Sequence, residues 1–203
     1  MLENNSKIFK ETMALFVITL ISGLALSFVY KITKNPIEIQ AEARKEKAYK
    51  AVYPEAEDFE EVNTVNLAYE DGSITIEHIS RALDLEANTL GYVVTLSSNE
   101  GYSGDITIVI GYSIDGIVKG IEVLEMSETP GLGSKASETE FRQQFFNKKA
   151  QRFISTKTET TADNEIYAIS GATITTDAMV NAVNVGVEFI KMHFDSVGGG
   201  IDE

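Results

Sequence analysis

The chain has 203 residues, no cysteine, and 31 acidic against 17 basic side chains, for a formal charge of −14 at pH 7. Without cysteine it carries no disulfide, no cysteine-ligated iron–sulfur cluster and no thioether-linked haem. The acidic excess argues against a nucleic-acid partner and against adhesion to anionic lipid headgroups, while the length suffices to bury a real core.

Residues 12–30 hold no charged side chain and are mostly Leu, Ile, Val, Phe and Ala, bounded by Lys10-Glu11 and Lys31. As a helix this run spans about 28 Å, close to the hydrocarbon thickness of a bilayer, and predicts a transmembrane helix after a tail at 1–11. A cleaved signal peptide would end in small residues, whereas Ser27-Phe28-Val29-Tyr30 ends the run in bulk. A pilin-type helix would need a processing glycine before Phe9, and none is present. Ser22, Gly23, Ala25 and Ser27 are small enough for another membrane helix to come close. Lys7 and Lys10 before the span are balanced by Lys31 and Lys34 after it, so charge gives no orientation. Beyond residue 34 there remain 13 basic and 29 acidic side chains, a charge of −16.

Residues 31–54 read as a juxtamembrane helix. Asn35-Pro36 supplies a cap and a first-turn proline, helix formers fill Ile37 to Val52, and Pro54 closes it. The acidic run Glu55, Glu57, Asp58, Glu60, Glu61 lacks the alternation and glycine of a calcium loop and reads as a solvated segment. Residues 55–195 then form the main domain. Ser73–Ile79, Gly91–Leu96, Asp105–Ser113 and Ile117–Glu125 are β-branched and strand-like, and Asp115-Gly116 marks a hairpin. The fold class expected is α+β, an antiparallel sheet with helices on one face. Gly101-Tyr102-Ser103-Gly104 precedes no helix or P-loop lysine and reads as a turn.

Glu128-Thr129-Pro130-Gly131-Leu132-Gly133 follows the hairpin as an irregular loop held by a rigid sheet. Ser137-Glu138-Thr139-Glu140 has the form of a capping box opening a helix from Thr139 to Phe146, with Phe141, Phe145 and Phe146 turned to the core. Lys135 is either a surface lysine or a neighbour of the Glu128 loop. Lys148, Lys149, Arg152 and Lys157 read as a solvated face. His78 and His193 have no partner at ligand spacing, so no metal site is expected. No acid–base pair or nucleophile–His constellation appears either, so no catalytic residue is assigned.

The chain closes on its most informative stretch. Ile166–Ile169 reads as the end of a buried strand. Asp177 to Phe194 carries Met179, Val180, Val183, Val187 and Ile190 at helical spacing. Between them lies Ser170-Gly171-Ala172-Thr173-Ile174-Thr175-Thr176, a turn of small and hydroxylated residues before a helix. Thr175 or Thr176 with Asp177 fits the capping role. Unpaired N–H groups at such a helix start attract phosphate, and Gly171 and Ala172 leave room for a ligand. Taken alone, this is either an ordinary capping turn or an anion site. Residues 196–203, with Gly198-Gly199-Gly200, read as a flexible tail.

Ser170-Gly171-Ala172-Thr173 followed by Ile174-Thr175-Thr176 resembles the flavinylation motif of the FMN-binding domain family, found in the G subunit of the Rnf electron transport complex and the C subunit of the sodium-pumping NADH:quinone oxidoreductase. The family pattern often has aspartate three positions before the serine, where this chain has Tyr167. The resemblance implies FMN joined to Thr173 through a phosphoester; a link on Thr175 or Thr176 is a separate alternative. It implies that a flavin transferase makes the link from FAD. Glu128 to Gly133 is similar to the family's second signature, which implies that Glu128, Thr129, Gly131 and Leu132 lie against the flavin.

From about Gly91 to Ile190 the chain is similar to the family. That implies an electron-transfer subunit of a membrane complex coupling ferredoxin and NAD to sodium or proton transport, with its domain outside the cytoplasm. The short chain favours the Rnf-type G subunit. The contrasting expectation is a flavin-free, membrane-anchored binding or assembly module working through its acidic surface.

Overall fold

The computed structural model describes residues 2–62, 72–158 and 160–195, with side chains from Ile8 to Phe194. The tail read at 196–203 and the Lys7 side chain lie outside the described residues. The chain divides into two compact units, Met1–Arg44 and Lys45–Glu203.

The first unit is helical. Helix α1 (Leu2–Val52) includes both stretches that the sequence assigns to separate helices at 12–30 and 31–54, so Asn35-Pro36 is not a helix start. Pro36 lies inside it, and lacking an N–H it leaves the Ile32 carbonyl without its ordinary helical donor. Leu15, Phe16, Ile18, Leu20, Ile21, Leu24 and Phe28 are all exposed, and the helix is long and apolar enough to cross a membrane. A helix apolar all round with no protein cover suits lipid rather than water. Three threonine hydroxyls within it turn back to the helix backbone. Thr12 Oγ1 donates to Ile8 O at 2.9 Å, and Thr19 and Thr33 bond carbonyls one turn back in the same way. In hydrocarbon, where no water is available, such back-bonding satisfies a hydroxyl locally.

The second unit is built on an antiparallel meander of six strands in sequential order. These are β1 (Asp58–Glu61), β2 (Ile74–Leu83), β3 (Thr89–Ser98), β4 (Ile106–Ser113), β5 (Ile117–Met126) and β6 (Lys148–Lys149). The β4–β5 hairpin turns at Asp115-Gly116, where Gly116 has φ +75° and donates to Ser113 O at 3.0 Å. The acidic run after Pro54 includes an unanticipated edge strand, β1. Its Glu60 and Glu61 meet Arg81 at 2.7 Å and His78 at 3.1 Å across the ladder, and a short charged strand is a common way to protect a sheet edge.

Alternation along the strands gives the sheet two buried faces, and this corrects the expectation of helices on one face only. Val94, Leu96, Ile106, Ile108 and Ile110 face helix α3 (Thr173–Ile190), which contributes Met179, Val183, Val187 and Ile190. Gly186 lets α3 approach closely, since a Cβ there would lie 2.7 Å from Ile110 Cδ1. On the other face, Val93 and Val109 pack with Tyr49, Val52 and Tyr53, the end of α1 and the residue after it. Tyr49 and Thr95 share a buried hydroxyl contact of 3.1 Å, and Tyr53 Oη donates to Leu90 O at 2.7 Å.

Between β5 and β6, the helix expected over Thr139–Phe146 is shorter. A 3₁₀ turn, Gly133–Ser137, runs into α2 (Thr139–Arg142) and a second 3₁₀ turn, Gln143–Phe145. The capping box does not form: Ser137 Oγ donates back to Ser134 O at 2.8 Å, so its hydroxyl serves the preceding turn. Phe141 and Phe145 are buried as expected, whereas Phe146 is exposed. Strand β7 (Ile154–Thr156) then pairs in parallel with β8 (Glu165–Tyr167), which leads into the turn before α3.

Candidate functional site

Two turns of one design converge at the start of α3. In the first, Thr129-Pro130-Gly131-Leu132, Leu132 N–H donates to Thr129 O at 3.1 Å, and Gly131 has φ +76°. Proline second and glycine third is the pattern for a type II turn, because only the third residue needs positive φ. In the second, Ile169-Ser170-Gly171-Ala172, Ala172 N–H donates to Ile169 O at 2.9 Å, and Gly171 has φ +79°. A Cβ on Gly171 would lie 3.2 Å from Leu132 Cδ2, so the two turns nearly touch.

Helix α3 begins at Thr173, four residues before the start read from the sequence, and no side chain caps it. Thr176 and Asp177 are committed elsewhere. Thr176 Oγ1 accepts Ile169 N–H at 3.1 Å and donates to Ala172 O at 2.9 Å, while the Asp177 carboxylate accepts Ser155 Oγ at 2.5 Å. Thr175 lies within the first turn and is buried. The helix ladder opens with Thr176 N–H to Ala172 O at 3.0 Å. The N–H groups of Thr173, Ile174 and Thr175 precede it and have no carbonyl within the helix to bond.

A cleft of about 530 Å³ opens at this point. From the first turn it is lined by Glu128, Thr129, Leu132 and Gly133, and from the second by Gly171, Ala172, Thr173, Ile174 and Thr175. Tyr102 adds a wall from the turn between β3 and β4. The volume suits a cofactor-sized ligand. Glu128 is 7% exposed, and its Oε1 accepts Ser103 N–H at 3.3 Å. A Cβ on Gly133 would lie 2.5 Å from Glu128 Oε2 and 2.7 Å from Thr175 Oγ1, so only glycine leaves room at 133 for this carboxylate and this hydroxyl. Thr173 is half-buried, at the first helical position.

Of the residues singled out in the sequence, Glu128, Thr129, Leu132, Gly171, Ala172, Thr173 and Thr175 line this cleft. Gly131 sets the bend of the first turn through its positive φ, exposed Ser170 lies on the second turn, and Thr176 is packed inside the protein. None of these three is among the lining residues. Exposed Lys135 is not among them either. The sequence reading missed Tyr102, Gly133 and Ile174 as lining residues. Gly133 stood at the edge of one signature and Ile174 inside the other, so both were within reach. Tyr102 carried no local signal beyond its flanking glycines.

The geometry fits a flavin mononucleotide. The cleft combines N–H donors at the start of α3, of the kind a phosphate uses, with exposed apolar surface from Leu132 and Ile174 and polar atoms from Glu128 and Thr129. Comparison with known proteins agrees. The FMN-binding domain family matches residues 101–188. The chain is 32% identical over 188 residues to the G subunit of the Na(+)-translocating ferredoxin:NAD(+) oxidoreductase complex of Acetobacterium woodii, covering 89% of this chain and 90% of that one. It is also 32% identical to the G subunit of the ion-translocating oxidoreductase complex of Methanosarcina acetivorans, covering 94% and 98%. Among solved structures, Shewanella oneidensis NqrC shares the fold, with TM-score 0.50 and 19% identity over 66% of this chain and 73% of that one. The chain therefore belongs to the FMN-binding domain family, in the branch formed by the G subunits of ion-translocating oxidoreductase complexes.

Proposed function

We propose that this chain is the electron-carrying G subunit of a membrane-bound, Rnf-type ferredoxin:NAD complex, with FMN fixed by a phosphoester to Thr173. The observation that carries the reading is the position of Thr173. It is the first residue of α3, beside three N–H groups without helical acceptors, in a cleft that both signature turns line. A phosphate esterified to Thr173 Oγ1 lies within the favourable field of the helix start. Bound FMN supplies the redox chemistry. The residues of this chain hold and orient it: Gly131 and Gly171 set the turns, Leu132 meets the apolar ring, and Glu128 and Thr129 face its polar edge.

Attachment requires a flavin transferase. The Thr173 hydroxyl gives up its proton as its oxygen bonds to phosphorus, the pyrophosphate link of FAD breaks, and AMP leaves with the proton. The N-terminal helix anchors the subunit as a single span, with the domain outside the cytoplasm, where a tether keeps the flavin from being lost. Other membrane subunits of the complex supply and accept the electrons.

Intact-mass analysis of the full chain, produced with the transferase and FAD, tests this. The expected result is an FMN-sized increment with yellow in-gel fluorescence, both absent in Thr173→Ala. An unmodified chain under those conditions would leave a membrane-anchored acidic binding module as the reading.

A further inference from the structure

The Gly101–Gly104 turn supplies Tyr102 to the wall of the cleft, and its construction is specific. A Cβ on Gly101 would lie 2.1 Å from Gly104 O, so the turn closes this tightly only with glycine at 101. Ser103 N–H donates to Glu128 Oε1, which ties the turn to the buried carboxylate beneath the cleft. Tyr102, between these two fixed points, is 69% exposed and lines the cleft. Its ring and hydroxyl make no hydrogen bond or ring contact among the described residues.

An isolated exposed aromatic needs no explanation. Tyr102 is not isolated, because Leu132 and Ile174, 44% and 54% exposed, line the same cleft. Three large apolar side chains converging on one opening mark a surface kept for a flat apolar partner. Two of them are aliphatic and only Tyr102 offers a π face, the group that pairs best with another aromatic ring.

We propose that Tyr102 is the aromatic cover of the flavin, packing on the isoalloxazine and setting its access to solvent. This rests on FMN being carried at Thr173. Glu128 acts through the backbone as the positioning residue for Tyr102, by holding Ser103.

The test compares the full wild-type chain with Tyr102→Phe and Tyr102→Ala, each produced with the transferase and FAD. Intact mass gives the FMN load, and acrylamide, an uncharged quencher indifferent to the acidic surface, measures access to the flavin. The quenching slope is divided by the flavin's emission lifetime in each chain, so neither partial loading nor quenching by the tyrosine itself distorts it. Because Tyr102 is exposed, replacing it removes no core packing. Loss of one aromatic pair raises the uncovered fraction of the ring about 2- to 12-fold, so the slope steepens in Tyr102→Ala and stays near wild type in Tyr102→Phe. Loaded chains with coincident slopes overturn the cover and leave attachment at Thr173 standing. A wild-type chain without FMN overturns both.

Discussion

Both faces of the sheet are packed by helix, but they treat polar groups differently. Beneath the end of α1, the Tyr49 hydroxyl meets Thr95 and the Tyr53 hydroxyl meets Leu90 O, so the polar atoms are consumed within the protein. Under α3, apolar packing runs along the helix and stops at its first turn, where buried Glu128 and Thr175 border an open cleft. The first arrangement fixes how a helix sits on a sheet. The second leaves polar capacity facing a space, which is what a bound ligand uses.

The comparison is sharpest where a change strikes one face alone. Met179 is fully buried where α3 packs on the sheet, and Met179→Ala is expected to cost about 2–5 kcal/mol in denaturant unfolding, with lower FMN loading as the helix loosens. Gly133→Ala forces a methyl against Glu128 and Thr175 and is expected to cost about 1–3 kcal/mol, with a loss of loading out of proportion to the loss of stability. Tyr49→Phe, on the opposite face, is expected to cost about 1 kcal/mol and to leave loading unchanged. If Tyr49→Phe emptied the site as Gly133→Ala does, the division between the faces would fail.

One effect is silent at neutral pH and appears only in alkali. Burial, with Glu55 and Asp115 nearby, pushes Tyr53 from its ordinary 10.0 up to about 12. Because the folded state favours the neutral phenol, its contribution is complete below pH 10 and is lost as pH rises toward 12. Unfolding followed over that range should show a decline in stability that Tyr53→Phe reduces, with no change in flavin content at neutral pH.

What was legible in the sequence was local. The Asp115-Gly116 hairpin, the four long strands and the uncharged run at 12–30 declare themselves through turn chemistry, β-branching and composition. Pro130-Gly131 and Gly171 announce turns because positive φ restricts the residue choice. The meeting of those turns was not written locally, since residues about 40 positions apart come together only through the packing of α3 on the sheet. The Ser137 box failed because α2 starts at Thr139, which puts Glu138 rather than Ser137 at the cap position. Asn35-Pro36 looked like a start because proline is common in first turns, yet α1 continues through it. β7 and β8 are three residues each, too short for any periodicity to appear.

Peptide mapping of the mature full-length chain tests the central claim most directly. The account predicts that one peptide containing Ser170 to Thr176 carries FMN and that fragmentation places the phosphoester on Thr173. An FMN found on another peptide, or on Thr175 or Thr176, would contradict the assignment of the first residue of α3 as the attachment point.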